Sequence, residues 1–593
     1  MLKRLLLFFV FCTLLLLAAP ALTQDVKEKK EEPAKVEAPK TREEIETEKV
    51  KARAAELTKD INQADTAWMM VSTAFVLFMV PGLALFYAGM VRRKNVLATM
   101  MHSMVALAVV GVFWVAIGYS LAFGDPLITV GTMGSVLGFS KKLVFMQGVN
   151  PYDVLPGNGI PVYLHMAYQG MFAIITPALI SGAIAERIRF KPYCLFLILW
   201  ITLVYCPLAH AVWAMDFWTA AADAGTNAVG ILGKMSALDF AGGTVVHIAA
   251  GFSALAAILI LPKRVGYPEH AMHPNSMVLT LTGAGLLWFG WFGFNAGSGL
   301  QCSALATTAF IATQCGAAAG GLIWMVAEWV QRGKPTALGL ASGIVAGLVA
   351  VTPAAGFVLP CGGLAIGAIA GIVCYLVVTF KPKFGYDDSL DAFGVHGVGG
   401  FLGAVLTGVF CYQWDFIYPL VGQPGMLVNG DLKQVEIQLI AATGSAVLAF
   451  VVSAILIKVI DVVIGFMVTP EEETQGLDQI EHGEAGFDFG YGYDTAPAIS
   501  STQPKSAIVP PVGSKFHVIV EGAKESDLIK VWSDLCQPSA TSAPEFKAVY
   551  PFVTTVQGNR FKFRGGDQNA MKENLKKLFE KSLKCSLQVK IEA

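Results

Sequence analysis

Between Thr66 and Val468 the chain alternates long apolar runs with short polar connections. Eleven runs stand out, near residues 67–91, 96–123, 164–185, 192–212, 241–262, 275–298, 302–330, 336–355, 359–380, 391–414 and 434–468. Each can cross the roughly 30 Å hydrocarbon core as a helix rising about 1.5 Å per residue. The pattern therefore predicts an all-α polytopic membrane domain of eleven transmembrane helices over 65–468. A different pattern begins at Ser514. Alternating Phe516, Val518 and Val520 predict a strand, Glu525 to Cys536 a helix, Phe546 to Val556 and Arg560 to Arg564 a hairpin, Asn569 to Leu583 a helix, and Ser586 to Ile591 a last strand. That βαββαβ order predicts a small α+β, ferredoxin-like domain over 514–593.

The charges between the runs give an orientation. Connections after runs one, three, five, seven and nine carry Arg92, Arg93, Lys94, Arg187, Arg189, Lys191, Lys263, Arg264, Arg332, Lys334, Lys381 and Lys383, against Lys141, Lys142, Lys234 and Lys433 in the alternate ones. By the positive-inside rule the first set is cytoplasmic, which puts the N-terminus outside and, after eleven crossings, the C-terminus inside. An external N-terminus agrees with a cleaved leader. Lys3 and Arg4, the apolar stretch Leu5 to Leu17 and the small residues Ala18 to Ala21 have the layout of a secretory signal peptide over 1–24, and the apolar stretch is short for a span. Residues 25–64 are Lys- and Glu-rich with Pro33 and Pro39, and read as a charged external tether. Residues 469–513 form a cytoplasmic tail and a Pro-, Ser- and Gly-containing linker.

Composition narrows the function classes. Hydrophobic residues make up 54 % and charged residues 15 %, and the net charge of -1 offers no basic surface for nucleic acid. The 10 cysteines are scattered singly, with no CxxC pair and no metal-ligand spacing, so no metal or cofactor is expected. Nothing points to an enzyme.

Two histidines within expected spans carry the most chemistry: His247 in DFAGGTVVH from Asp239, and His396 in DAFGVH from Asp391. Ionisable groups at membrane depth are costly and usually functional. A neutral imidazole pair could hydrogen-bond across a narrow track, each ring offering one donor and one acceptor. Spans one and six share Phe86-Tyr87-Ala88-Gly89 and Phe294-Asn295-Ala296-Gly297, and spans five and ten each hold a histidine. Five spans separate each pair, so the second copy crosses in the opposite sense, as in a 5+5 inverted repeat. Trp213, Trp291, Phe292 and Phe294 cluster near span ends, with Ser298 one turn beyond. Such rings suit either a small cation or an interfacial aromatic belt.

The blocks FYAGMVRRKNVL (Phe86 to Leu97), GAIAERIRF (Gly182 to Phe190), DFAGGTVVH, GWFGFNAGS (Gly290 to Ser298) and DAFGVHGVGG (Asp391 to Gly400) are similar to blocks of the Amt/MEP/Rh ammonium transporter family, bacterial Amt type. The resemblance covers spans one to eleven. It implies a homotrimer in the bacterial inner membrane, serving nitrogen uptake, with one ammonium pore through each subunit. By that resemblance His247 and His396 are the twin pore histidines, and Trp213 with Ser298 forms the external ammonium site. Phe172 in QGMFA and Phe294 are the paired phenylalanine gate, and Asp239 is the acid that stabilises the entrance. Tyr168 stands where bacterial members often have phenylalanine and gives the site a fourth wall with a hydroxyl, while Trp291 lines the pore.

Ammonium and potassium are similar in radius, so deprotonation at the entrance would separate them. These residues fit passage of ammonia alone or of ammonia plus a relayed proton. The tail TPEEETQGLDQIEHGEAGF (Thr469 to Phe487) resembles the family segment that couples subunits, with Gly486-Phe487 in place of its usual tyrosine. A PII-type regulator or another cytoplasmic effector is the implied partner. The PII proteins share the topology of 514–593, although their long loop and glycine-rich phosphate motif are missing here. The alternative reading is an ammonium sensor signalling through the C-terminal domain, which carries no kinase or cyclase chemistry. A Rh-type gas channel fits less well, because Trp213 and Ser298 supply a cation-recruiting site.

Overall fold

The structure, a computed structural model, describes residues 42–218, 225–270, 272–412, 424–487, 515–521, 524–535, 553–557, 559–564, 568–583 and 588–592. The expected leader 1–24, much of the tether and the linker 496–513 lie outside these residues. The chain divides into two compact units, Met1–Tyr491 and Gly492–Ala593.

Among the described residues, nine helical segments of the first unit are long and apolar enough to cross a membrane: Gln63–Met90, Arg93–Phe123, Phe190–Trp213, Gly243–Ile260, Met277–Gly299, Ala304–Arg332, Pro360–Phe384, Phe393–Phe410 and Lys433–Ile464. The two other expected runs fold as Val162–Ile180 and Ala337–Val351. The first of these holds His165 and Gln169, which lower its hydropathy, and the second is 15 residues long. Both contribute buried faces to the core.

Glycine sets the closest helix contacts. Gln63–Met90 and Met277–Ala296 run antiparallel: a Cβ on Gly89 would strike Ser276 and Thr280, one on Gly283 would strike Phe86, and one on Gly293 would strike Ser72. Small residues let the two backbones approach in this way. These are the helices that carry the FYAG and FNAG segments.

Arg42–Leu57, within the tether, is a helix whose described side chains are exposed. Its Glu, Lys, Arg and Ala content favours helix without a buried face. Between the second and third expected spans, β1 (Pro126–Thr129) and β2 (Ser135–Gly138) pair antiparallel. Gly131 and Gly134 make the turn at positive φ.

The second unit holds β3 (Lys515–Glu521), helix Glu525–Leu535, β4 (Val553–Gln557), β5 (Arg560–Arg564), helix Gln568–Leu583 and β6 (Gln588–Glu592). The sheet is antiparallel in the order β4-β5-β3-β6. Val518 and Val520 alternate onto one face and pack with Leu528, Phe561, Leu575, Phe579 and Val589. The strand expected from Phe546 starts at Val553 in the described chain, and residues 546–552 lie outside it.

Candidate functional site

Asp239 begins the site. Its carboxylate accepts hydrogen bonds from the backbone amides of Gly242, Thr244 and Val245 at 2.9, 2.9 and 3.0 Å, which caps the segment Gly243–Ile248. The chain reaches that cap through Gly242 at φ 111°, where a side chain would also strike Val246. Gly243–Ile248 is wound as a π turn, a local widening common at functional positions, and it delivers His247.

The opposite helix repeats the device with an acid that precedes the quoted motif. Asp388 accepts from the amides of Ala392, Phe393 and Gly394 at 3.0, 2.9 and 3.2 Å and caps the π turn Phe393–Gly397 that delivers His396. Each histidine lies eight positions after its capping acid. Asp391, which opens the quoted motif, has φ 61° and pairs instead with Lys381.

The two histidines meet. Nδ1 of His396 lies 3.3 Å from Nδ1 of His247, and the rings are stacked at 5.3 Å and 20°. A hydrogen bond between two Nδ1 atoms requires one to donate and the other to accept. The pair therefore holds opposite tautomers, leaving one Nε2 as a donor and the other as an acceptor. Nε2 of His247 is buried and has no hydrogen-bond partner among the described residues. The helices come this close because Gly251, one turn after His247, sits against Gly397.

Around the pair the walls are apolar. A narrow cavity of about 10 Å³ is bounded by Leu83, Ile175, Val246, Leu287 and Val345 together with His247, His396, Trp291 and Phe294. Trp291 stacks on His247 at 5.4 Å and is held by a bond from its Nε1 to Thr352 Oγ1 at 2.8 Å. Phe292, on the same helix, stacks on Phe310 at 4.1 Å and does not line this cavity.

One end of the lumen is closed by Phe172 and Phe294, whose rings are 4.3 Å apart and fully buried. Beyond them a vestibule of about 140 Å³ is lined by Trp213, Ser298, Phe172 and Phe240, with His165 and Gln169. Trp213 Nε1 donates to the carbonyl of Asp239 at 2.9 Å, so the acid positions the indole through its backbone. Tyr168 is buried. Its hydroxyl lies 2.9 Å from the carbonyls of Gly293 and Phe294 and 3.2 Å from Ser298 Oγ, which itself donates to Phe294 O at 2.8 Å. Tyr168 thus braces the serine from behind.

Sequence reasoning passed over His165, whose Nδ1 is 2.8 Å from the Tyr119 hydroxyl, and Gln169, Phe217 and Phe240 in the vestibule wall. It also passed over an ion network among the connections that carry Arg92, Arg187 and Arg264. There Arg187 meets Asp387 at 3.5 Å, Asp387 meets Arg264 at 2.8 Å, Arg264 meets Glu186 at 3.2 Å, Glu186 meets Arg92 at 2.8 Å and Arg92 meets Glu473 of the tail at 2.9 Å. Burial alone would raise the Glu186 and Asp387 carboxyls. Arg264 and Arg92 around Glu186, and Arg264 and Arg187 around Asp387, outweigh it and hold both below the usual carboxylate range. The tail docks on its own chain: Asp478 accepts from Ala98 N at 2.8 Å, Asn95 accepts from Leu477 N at 2.8 Å, and Glu472 pairs with Arg189 at 3.0 Å. Phe487 packs against the core.

Fold and site together define a multi-pass membrane protein built around a narrow, histidine-bearing lumen. The model of the Ammonium Transporter Family matches residues 67–487. The chain belongs to the ammonium transporter family. It is 42 % identical over 468 residues to an ammonium transporter of Mycobacterium tuberculosis, covering 76 % of this chain and 96 % of the relative. Ammonium transporter Amt1 of Archaeoglobus fulgidus is 42 % identical over 429 residues, covering 72 % of this chain and all of the relative. The crystal structure of Saccharomyces cerevisiae Mep2 superposes with a TM-score of 0.61 at 36 % identity, over 70 % of this chain and 92 % of Mep2. A structure described as a sensor Amt protein superposes with a TM-score of 0.62 at 27 % identity, over 71 % of this chain and 98 % of its own.

Proposed function

We propose that this chain carries ammonium across a membrane by taking NH4+ at the Trp213–Ser298 vestibule, passing one of its protons to vestibule water and passing the remaining neutral NH3 through the His247–His396 lumen. The observation that carries the reading is the unpartnered, buried Nε2 of His247 in an otherwise apolar cavity. A buried polar atom without a partner is expensive, and a small polar guest relieves that cost. An ion fares worse there, because burying an uncompensated charge costs several kcal/mol or more in effective terms.

Selection then begins in the vestibule. The face of Trp213 attracts a cation, and Ser298 accepts a hydrogen bond that ammonium can donate and potassium cannot. Asp239 contributes negative charge nearby without facing the ion, since its carboxylate is committed to three amides. Phe172 and Phe294 then admit only a species that has shed its proton and its water.

On this reading eleven helices in a 5+5 inverted repeat cross the bacterial inner membrane, with the vestibule outside and the tail inside, and three copies form a homotrimer. The second unit is a ferredoxin-like module that modulates the pore in response to a cytoplasmic effector. The sensor Amt neighbour supports a second reading, in which that module reports ligand occupancy of the pore.

Uptake into vesicles reconstituted with the purified protein tests the proposal. Saturable, protein-dependent uptake of ammonium is expected, and no uptake above empty vesicles refutes it. A current accompanying uptake shows that one charge crosses with the nitrogen, and its loss in a folded His247→Leu variant that still takes up ammonia assigns that charge to a proton relayed along the histidine pair. Absence of a current in the wild type leaves ammonia as the sole species conducted.

A further inference from the structure

We propose that a second, outer cation site lies on the face of Trp218, held in this structure by the ammonium group of Lys142, and that it takes ammonium or a small alkylammonium ion from solution when that side chain leaves. Lys142 Nζ lies 4.1 Å from the centre of the Trp218 ring. This is a cation-π contact, and the cation in it is a primary ammonium, chemically close to the transported ion.

The indole and the backbone that carries the lysine are fixed by their surroundings, which leaves the lysine side chain as the movable part. The Trp218 indole donates from Nε1 to Phe123 O at 2.5 Å. Lys142 sits on the turn Lys141–Met146, which ends with Phe145 and Met146 at φ 51° and 56°, a conformation uncommon for bulky residues. Gly148 donates to the Lys142 carbonyl at 2.8 Å, and a Cβ there would come 2.5 Å from Lys142 Cβ, so the turn is closed tightly around the lysine.

The space beside the pair is polar and open. A cavity of about 580 Å³ is lined by Lys142, Trp218, Tyr152, Asp153, Asp60 and Phe217. Burial lowers the Lys142 ammonium, while the charges of Asp125 and Asp153 act to raise it, so carboxylate fields converge where the cation sits. Phe217 also lines the vestibule that contains Trp213 and Ser298. The outer site and the recruiting site thus share a wall, which places the Trp218 face on the approach to the pore.

The inference rests on the reading of that vestibule as the ammonium entrance. The test is the concentration dependence of methylammonium uptake into vesicles for wild type, Lys142→Ala, and Lys142→Ala combined with Trp218→Leu or Trp218→Phe. Freeing the indole should lower the half-saturating concentration roughly twofold to fivefold. Trp218→Leu in the same background should abolish that gain, whereas Trp218→Phe, which keeps a ring but not the N–H, should retain most of it. An unchanged half-saturation in Lys142→Ala, or a gain that survives Trp218→Leu, overturns the proposal. If the wild type transports nothing, the transport reading fails instead. Quenching of tryptophan emission by methylammonium then still decides the outer site: it should occur in Lys142→Ala and vanish with Trp218→Leu.

Discussion

Replacing Gly251 by alanine perturbs the lumen without touching a lumen side chain. A Cβ at Gly251 would lie 2.1 Å from both Cα and N of Gly397, well inside the 3.4 Å at which ordinary contact begins. The obstacle is backbone, so no rotamer relieves it, and the two helices must part by about 1.3 Å, the difference between those distances. Gly251 lies one turn after His247, and Gly397 follows His396 directly. Added to the 3.3 Å Nδ1 separation, such a shift carries the imidazoles beyond hydrogen-bond range. Overpacking of this kind costs about 1–3 kcal/mol, which a membrane domain of this size tolerates. Gly399→Ala is the matched control, because its Cβ would meet Val349 Cγ1 at 3.2 Å, a side-chain atom that can yield. Ammonium uptake into vesicles, with size-exclusion chromatography to verify folding, reads the result. We expect Gly251→Ala to lose at least about tenfold in rate, equivalent to about 1.4 kcal/mol, and Gly399→Ala to stay near wild type. A folded Gly251→Ala that conducts like wild type refutes the claim that the histidine contact matters.

Three other outcomes are expected. Trp213→Leu should weaken external ammonium affinity by about 2- to 30-fold, from a cation-π contribution of about 0.5–2 kcal/mol; an unchanged concentration dependence makes the indole part of an aromatic belt. Glu186 and Asp387 are held below the usual carboxylate range, so the stability they contribute is present above that range and lost as pH falls through their depressed values. Protease cleavage within 470–487 should therefore stay constant from about pH 8 to 5 and rise only below about pH 4, and release of the tail between pH 7 and 5 contradicts this. Truncation after Tyr493 should preserve transport while changing its response to cytoplasmic signals, and identical regulation in the truncated chain removes the regulatory role of 514–593.

Much of the membrane unit was legible because burial in lipid imposes long apolar runs, and these survive any change of detail. The histidines were legible for the related reason that a polar residue in such a run is conspicuous. Asp388 was not. Two aspartates three positions apart look alike in sequence, and only the backbone separates them: Asp391 turns left-handed and binds Lys381, while Asp388 faces the open amides of the helix. The equal spacing of eight to each histidine was countable but needed the first cap to give it meaning. His165 gave no periodic signal, since a single histidine in a helix does not reveal its neighbours. The ion network was hidden because Arg92, Glu186, Arg264, Asp387 and Glu473 come from five separate segments, and each cation alone satisfies the positive-inside pattern. In the second unit, alternation identified the strands, while the β4-β5-β3-β6 order needed the packed sheet.

The central claim is that a neutral molecule crosses the His247–His396 lumen, and selectivity against potassium tests it most directly. Vesicles containing the wild-type protein should take up ammonium in the presence of a large excess of potassium, with no potassium flux of their own. A folded variant with both histidines replaced by leucine should lose that uptake. Potassium flux through the wild type, or undiminished ammonium uptake by the double variant, would contradict the account.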